Sequence, residues 1–202
     1  MTHKTIAVFA GFLVAVWAVL FVLPYGGLFQ PLLVRAAGFS DQSQCHAIPS
    51  DRNRFLSNTA YRFITLSPSL AQGFRNIENT LIAFSIGQIK CRSGLPGFAE
   101  ESGRVNRMID LALASGERVN DIGPLGVPNL HFAVSSGNHL VVEHLLKNGA
   151  RVDQAVPEST EFATKGDTPL TLARRLKDEN ITDTSLIIRL LEQYQSFKQQ
   201  VP

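Results

Sequence analysis

Apolar residues recur at intervals of three and four along the second half of the chain. Leu130, Ala133 and Val134 fall on one face of a helix predicted over 129–136. Gly137 interrupts the pattern, and after Asn138 the run HLVVEHLLKNG resumes it with Leu140, Val141, His144, Leu145 and Leu146. Gly149 stands where a left-handed C-cap closes the second helix. Two short antiparallel helices follow from this spacing, and neither is long enough to hold itself together in water. Their apolar stripe has to be covered by neighbouring units, which is the logic of a stacked repeat array.

The same pattern recurs on either side. A shift of 33 residues toward the N-terminus carries Gly149 onto Gly116 and Val152–Asp153 onto Val119–Asn120, so RVNRMIDLALASGERVN reads as a second helix with its exit loop. Toward the C-terminus, Thr168 and Pro169 in GDTPLTLA start a helix, and SLIIRLLEQYQ supplies Leu186, Ile187, Leu190 and Leu191 at helical spacing. Two segments exceed an even period: the loop from Gln154 to Lys165 and the connection from Lys177 to Thr184. Long loops of this kind are where repeat proteins bind.

The stretch from Gly126 to Asp153, GVPNLHFAVSSGNHLVVEHLLKNGARVD, resembles the ankyrin repeat of about 33 residues. Gly126, Leu130, His131, Ala133, Gly137, Val141, Val142, Leu145, Leu146, Gly149, Ala150 and Val152 carry the resemblance; Pro128 and Asn129 depart from it, standing where Thr and Pro are usual. It implies an all-α ankyrin-repeat helical stack over residues 96–202, about three repeats with the first and last atypical. In the first, the half around Gly97 to Gly103 lacks the TPLH element and acts partly as a cap. His131 is expected to hydrogen-bond between adjacent repeats.

The resemblance also implies a protein partner on the concave face made by the exit-loop tips and the first helices. Here the tips run from Val119 to Leu125 and from Arg151 to Lys165, with Ser135, Ser136 and Asn138 on the helical rim. Arg118, Asn120, Asp121, Arg151, Asp153, Gln154, Glu158 and Glu161 are the polar candidates around an apolar centre at Phe162. The competing reading is that each is an ordinary solvated loop residue.

The N-terminal half reads differently. After a tail of residues 1–4, the run from Thr5 to Leu23 has no charge and is mostly Val, Leu, Ile, Phe and Ala. A bilayer needs about 20 apolar residues and a signal core about 7–15, so a transmembrane anchor over 5–24 is expected. A cleaved signal, with Val34, Ala36 and Ala37 as the small residues before the cut, is the alternative. Residues 25–95 form a linker and an α-helical N-terminal cover: RFLSNTAYRFITL is helical or irregular, and Ser69 to Lys90 reads as one helix with Leu70, Phe74, Ile77, Leu81, Phe84 and Ile89 on its apolar face. Lys4 before the span and Arg35, Arg52 and Arg54 after it leave orientation open. The two cysteines, Cys45 and Cys91, both follow the span. In an exported domain they would pair, closing a loop that contributes about 4 kcal/mol in the chain-entropy view; in a cytoplasmic domain they stay reduced.

Composition changes this picture little. A net charge of +2, with charged residues at 18%, gives no clustered basic face for nucleic acid. Of the five histidines, His3, His46, His131, His139 and His144, no pair has metal spacing, and no cofactor is expected. His46 beside Cys45 is the nearest thing to a ligand pair. No GxSxG, GxxxxGK[ST] or GxGxxG sequence occurs, and Glu100–Glu101 reads as a charged first turn of a helix. Three functions remain: a membrane-tethered, extracytoplasmic ankyrin protein that inhibits or supports one protein partner, in the manner of a bacterial immunity or accessory protein; a cytoplasm-facing scaffold; and a small membrane-associated enzyme, the first being preferred.

Overall fold

Thr80 decides where the first helix among the described residues begins. Its backbone is extended, at φ −65° and ψ 135°, and its hydroxyl accepts a hydrogen bond from the Ala83 amide at 3.3 Å. A residue capping in this way ends any helix arriving from the N-terminal side. The single helix expected from Ser69 to Lys90 is therefore not continuous through Thr80: its described part is α1, Leu81–Gly87, and residues 69–79 lie outside the described residues. The computed structural model describes residues 80–89, 91–123 and 125–200. The expected span Thr5–Leu23, the segment RFLSNTAYRFITL, Cys45 and His46 lie outside them. No helix among the described residues is long and apolar enough to cross a membrane.

Five more helices follow: α2 (Phe98–Ala114), α3 (Asn129–Ser135), α4 (His139–Lys147), α5 (Pro169–Asp178) and α6 (Ser185–Gln200). Among the described residues there is no strand beyond an isolated antiparallel bridge between Ile122 and Pro128. Local sequence explains the boundaries. The Asn138 side chain caps α4 on the Val141 amide, and Thr168 and Thr171 cap α5 reciprocally ahead of Pro169. Gly116 and Gly149, at φ 91° and 88°, turn the chain left-handed just past α2 and α4, one repeat apart as expected.

Each consecutive pair, α1/α2, α3/α4 and α5/α6, packs as a hairpin. The inner helices α1, α3 and α5 lie side by side, and so do the outer helices α2, α4 and α6. Leu130, Val142 and Leu170 share one continuous core, as the repeat pattern requires. One register differs from expectation. The inner helix of the first repeat is α1; the segment from Gly97 to Gly103 is the opening of α2, a 17-residue helix. The connection between α1 and α2 is long enough to hide the correspondence, since the equivalent link in the second repeat is only Ser136–Gly137–Asn138. Leu186, expected on the buried face of α6, is 46% exposed, while Ile187 and Leu191 fill the core.

Polar side chains lock neighbouring units together. Glu117, just beyond α2, is buried and accepts the Leu81 amide at 2.7 Å and the Ile82 amide at 3.1 Å. These are first-turn N–H groups with no partner inside α1, and a carboxylate also suits that positive helix end. Glu101, in the charged first turn of α2 as expected, is 4% exposed and accepts the Cys91 amide at 2.8 Å. Between the outer helices, Asn138 donates to the Ser102 hydroxyl at 2.9 Å, and His144 meets Asp110 at 2.7 Å. Replacing Glu117 with Ala leaves two buried amide donors without their acceptor, so Glu117→Ala is expected to lower unfolding stability by about 2 kcal/mol in denaturant titration. A loss no larger than that of an exposed Glu158→Ala control would show that the carboxylate does not hold α1.

Candidate functional site: a groove across the inner helices

Two projecting loops and the inner helices make the concave face. In the first loop the Gly123 amide donates to Val127 O at 2.9 Å and the Gly126 amide to Gly123 O at 3.0 Å, forming a tight finger. In the second, Val156 N donates to Asp167 O at 2.9 Å, Gly166 N to Val156 O at 2.9 Å and Thr160 N to Ala163 O at 2.8 Å. The long loop from Gln154 to Lys165 is thus mostly a second finger closed at its base. A methyl group placed on Gly126 would come 3.2 Å from Thr160 Cγ2, so the two fingers stand against one another.

The base of the fingers is fixed by buried polar groups. His131, 1% exposed, donates from Nε2 to the Asp167 carbonyl at 2.9 Å, which is the link between repeats expected for this position. The Asp167 carboxylate accepts from the Thr164 amide at 2.8 Å and is ion-paired with Arg175 on α5. Asn129, one of the two departures from the repeat pattern, is fully buried and reaches back to Val119 O at 3.3 Å. The substitution thereby supplies a tie to the preceding repeat.

Between the second finger and the inner helices runs a groove of about 500 Å³. Ile86 and Gly87 come from the last turn of α1, Phe132 and Ser135 from α3, and Arg175 and Leu176 from α5. Ile89, Ser136, Ile181, Glu161, Phe162 and Glu179 complete the wall. Phe162, 38% exposed, meets Phe132 with ring centroids 6.4 Å apart and planes tilted by 55°, an aromatic pair half open to solvent. Ser135 and Ser136 turn their hydroxyls back onto Phe132 O and Ala133 O at 2.8 and 2.7 Å, leaving the floor apolar.

Of the residues singled out in the sequence, the groove gathers Glu161, Phe162, Ser135 and Ser136. The others sit elsewhere. Arg118 pairs with Asp121 at 2.9 Å and Arg151 with Asp153 at 3.2 Å, on the exit loops. Asn120 is a splice between those loops: it donates to Gly149 O at 3.1 Å, accepts the Arg151 amide at 2.9 Å, and its carbonyl takes the Gln154 amide group at 3.1 Å. Glu158 is exposed on the second finger. Asn138, expected on the rim, is 1% exposed between the outer helices. The groove residues not foreseen are Ile86, Gly87, Ile89, Phe132, Arg175, Leu176, Glu179 and Ile181. Phe132 carried a visible signal: it is a large aromatic lying off the stripe of Leu130, Ala133 and Val134.

Among the described residues no three His, Cys, Asp or Glu side chains converge as a metal site would require. His139 stacks on Phe98 at 5.3 Å and His144 is engaged with Asp110. Cys91 is buried and is not a free cysteine, but its expected partner Cys45 falls outside the described residues.

Comparison with known proteins adds one match. Residues 129–155 fit the ankyrin repeat family model, which covers the second repeat from the start of α3 through α4 to the foot of the second finger. No curated protein and no solved structure matches the chain. The match supports an ankyrin-repeat protein, and an all-helical stack agrees with it.

Burial pushes the His131 pKa below its ordinary 6.5, against a smaller opposing pull from the Asp167 carbonyl and carboxylate. The folded form therefore holds its proton less firmly than the unfolded chain does. The unfolded state gains protons as pH drops below 6.5, so the folded state loses stability from there down through the depressed value. Urea midpoints measured from pH 7.5 to 5 should fall across that window, and the slope should flatten in His131→Gln. An equal slope in both proteins would assign the acid sensitivity to other groups.

Proposed function

On the strength of that one-repeat match, we propose that the chain is a membrane-tethered ankyrin-repeat module that binds a specific protein partner through the groove, on the extracytoplasmic side of a bacterial membrane. The observation that carries the reading is the Phe132–Phe162 pair, an open aromatic surface in a groove built by three repeats. Large apolar groups left half exposed on a rigid frame are the usual anchors of protein interfaces. The fingers and inner helices are tied by buried hydrogen bonds, so little ordering is lost on binding, and affinity benefits accordingly.

The rest of the proposal is built on sequence. The uncharged run from Thr5 to Leu23 supports a single-pass anchor, and the absence of a basic run supports a protein partner over nucleic acid. An exported location is supported by the cysteines: Cys91 is not free, and Cys45 is the other cysteine in the sequence. The partner is inhibited or assisted by being held, and the chain itself performs no chemistry.

Crosslinking and affinity purification of the full chain tests the binding surface. Phe162→Ala should lower the partner yield by roughly tenfold, the effect of losing one interface anchor. Phe197→Ala, which removes a 69% exposed ring on α6, should leave it unchanged. Equal yields from wild type and Phe162→Ala would move the site off the groove. An alkaline phosphatase reporter fused after Pro202 should be active; an inactive fusion with full expression would place the stack on the cytoplasmic side.

A further inference from the structure

The groove has a charge character that selects among protein partners. Two of the residues lining it, Glu161 on the second finger and Glu179 just past α5, are exposed carboxylates. Neither enters an ion pair among the described residues. Arg175 is the cation in the wall, and its guanidinium is already held by the Asp167 carboxylate. The floor adds to the negative side. Last-turn residues of α1, α3 and α5 all line it, so the negative ends of three helix dipoles border the same groove, although most of their last-turn carbonyls already accept hydrogen bonds.

From this arrangement we propose that the groove takes a basic–apolar segment of the partner: an apolar side chain seated between Phe132, Phe162 and Ile89, with flanking Lys or Arg reaching Glu161 and Glu179. The proposal rests on the groove being the binding surface, and adds the chemistry of what binds there. Each exposed carboxylate contributes modestly on its own. Two of them beside three helix ends, flanking an apolar anchor, give selectivity through electrostatic complementarity more than raw affinity. An acidic segment of the same shape would instead set its charges against Glu161 and Glu179.

The test uses the full chain in a non-ionic detergent and fluorescein-labelled twelve-residue peptides read by anisotropy. Three carry a central Leu–Phe pair flanked by Lys, by Gln or by Glu, and a fourth carries Lys around a central Ser–Ser. The Lys-flanked apolar peptide should bind roughly tenfold tighter than the Glu-flanked one, with the Gln peptide between them and the Ser–Ser peptide weakest. The gap should shrink as salt is raised and disappear in Glu161→Lys/Glu179→Lys. Equal affinities for the Lys and Glu peptides, a preference that survives in the double variant, or no binding of any peptide overturns the proposal. Phe162→Ala separates this from failure of the groove itself. If the variant weakens every apolar peptide while no charge preference exists, the groove stands and its basic selectivity falls; if it leaves the tightest peptide unaffected, both fall.

Discussion

The constraint on which this molecule depends is that its inner helices are too short to exist alone. α1 and α3 have seven residues each, below the length at which a helix persists in water. Each is held because Leu81, Ile82, Leu130, Ala133 and Val134 are covered by the helix behind and the helix beside it. Burying a side chain of Leu, Ile or Val size contributes about 1.5–3 kcal/mol, and that contribution exists only while neighbouring repeats are in place.

The groove follows from the same constraint. Three inner helices held side by side bring their last turns together, and no single repeat contains the surface they make. The polar ties then set how firmly that surface is held: Glu117 fixes the start of α1, and His131 and Asp167 join the second repeat to the second finger. Two carboxylates, Glu161 and Glu179, stand in the lining of that surface and give it its negative character.

Where a residue pattern is repeated, the fold was legible. Gly116 and Gly149, Leu130 with Ala133 and Val134, and Thr168 with Pro169 are local signals whose geometry follows from backbone chemistry alone. What escaped had a cause in each case. The inner helix of the first repeat was hidden because its connection to α2 breaks the period, and because a threonine cap at Thr80 outweighs an apolar stripe that continues through it. Asn120 and Asn138 look like exposed polar residues in sequence, but both spend their hydrogen bonds on other repeats, which no local pattern reveals. The groove was half legible. Phe162 and Glu161 stood in a long loop, whereas Ile86, Ile89 and Ile181 come together only through stacking.

If the repeats support one another in this way, they open together. Native-state hydrogen exchange on the full chain tests this most directly, because it reports the opening free energy of each helix separately. The slowest amides of α1, α3 and α5 should share one opening free energy, and Leu145→Ala, a cavity in α4 behind them, should lower all three by the same amount. An α1 that opens at distinctly lower free energy, untouched by Leu145→Ala, would contradict the account, since the groove would then lack a stable third wall.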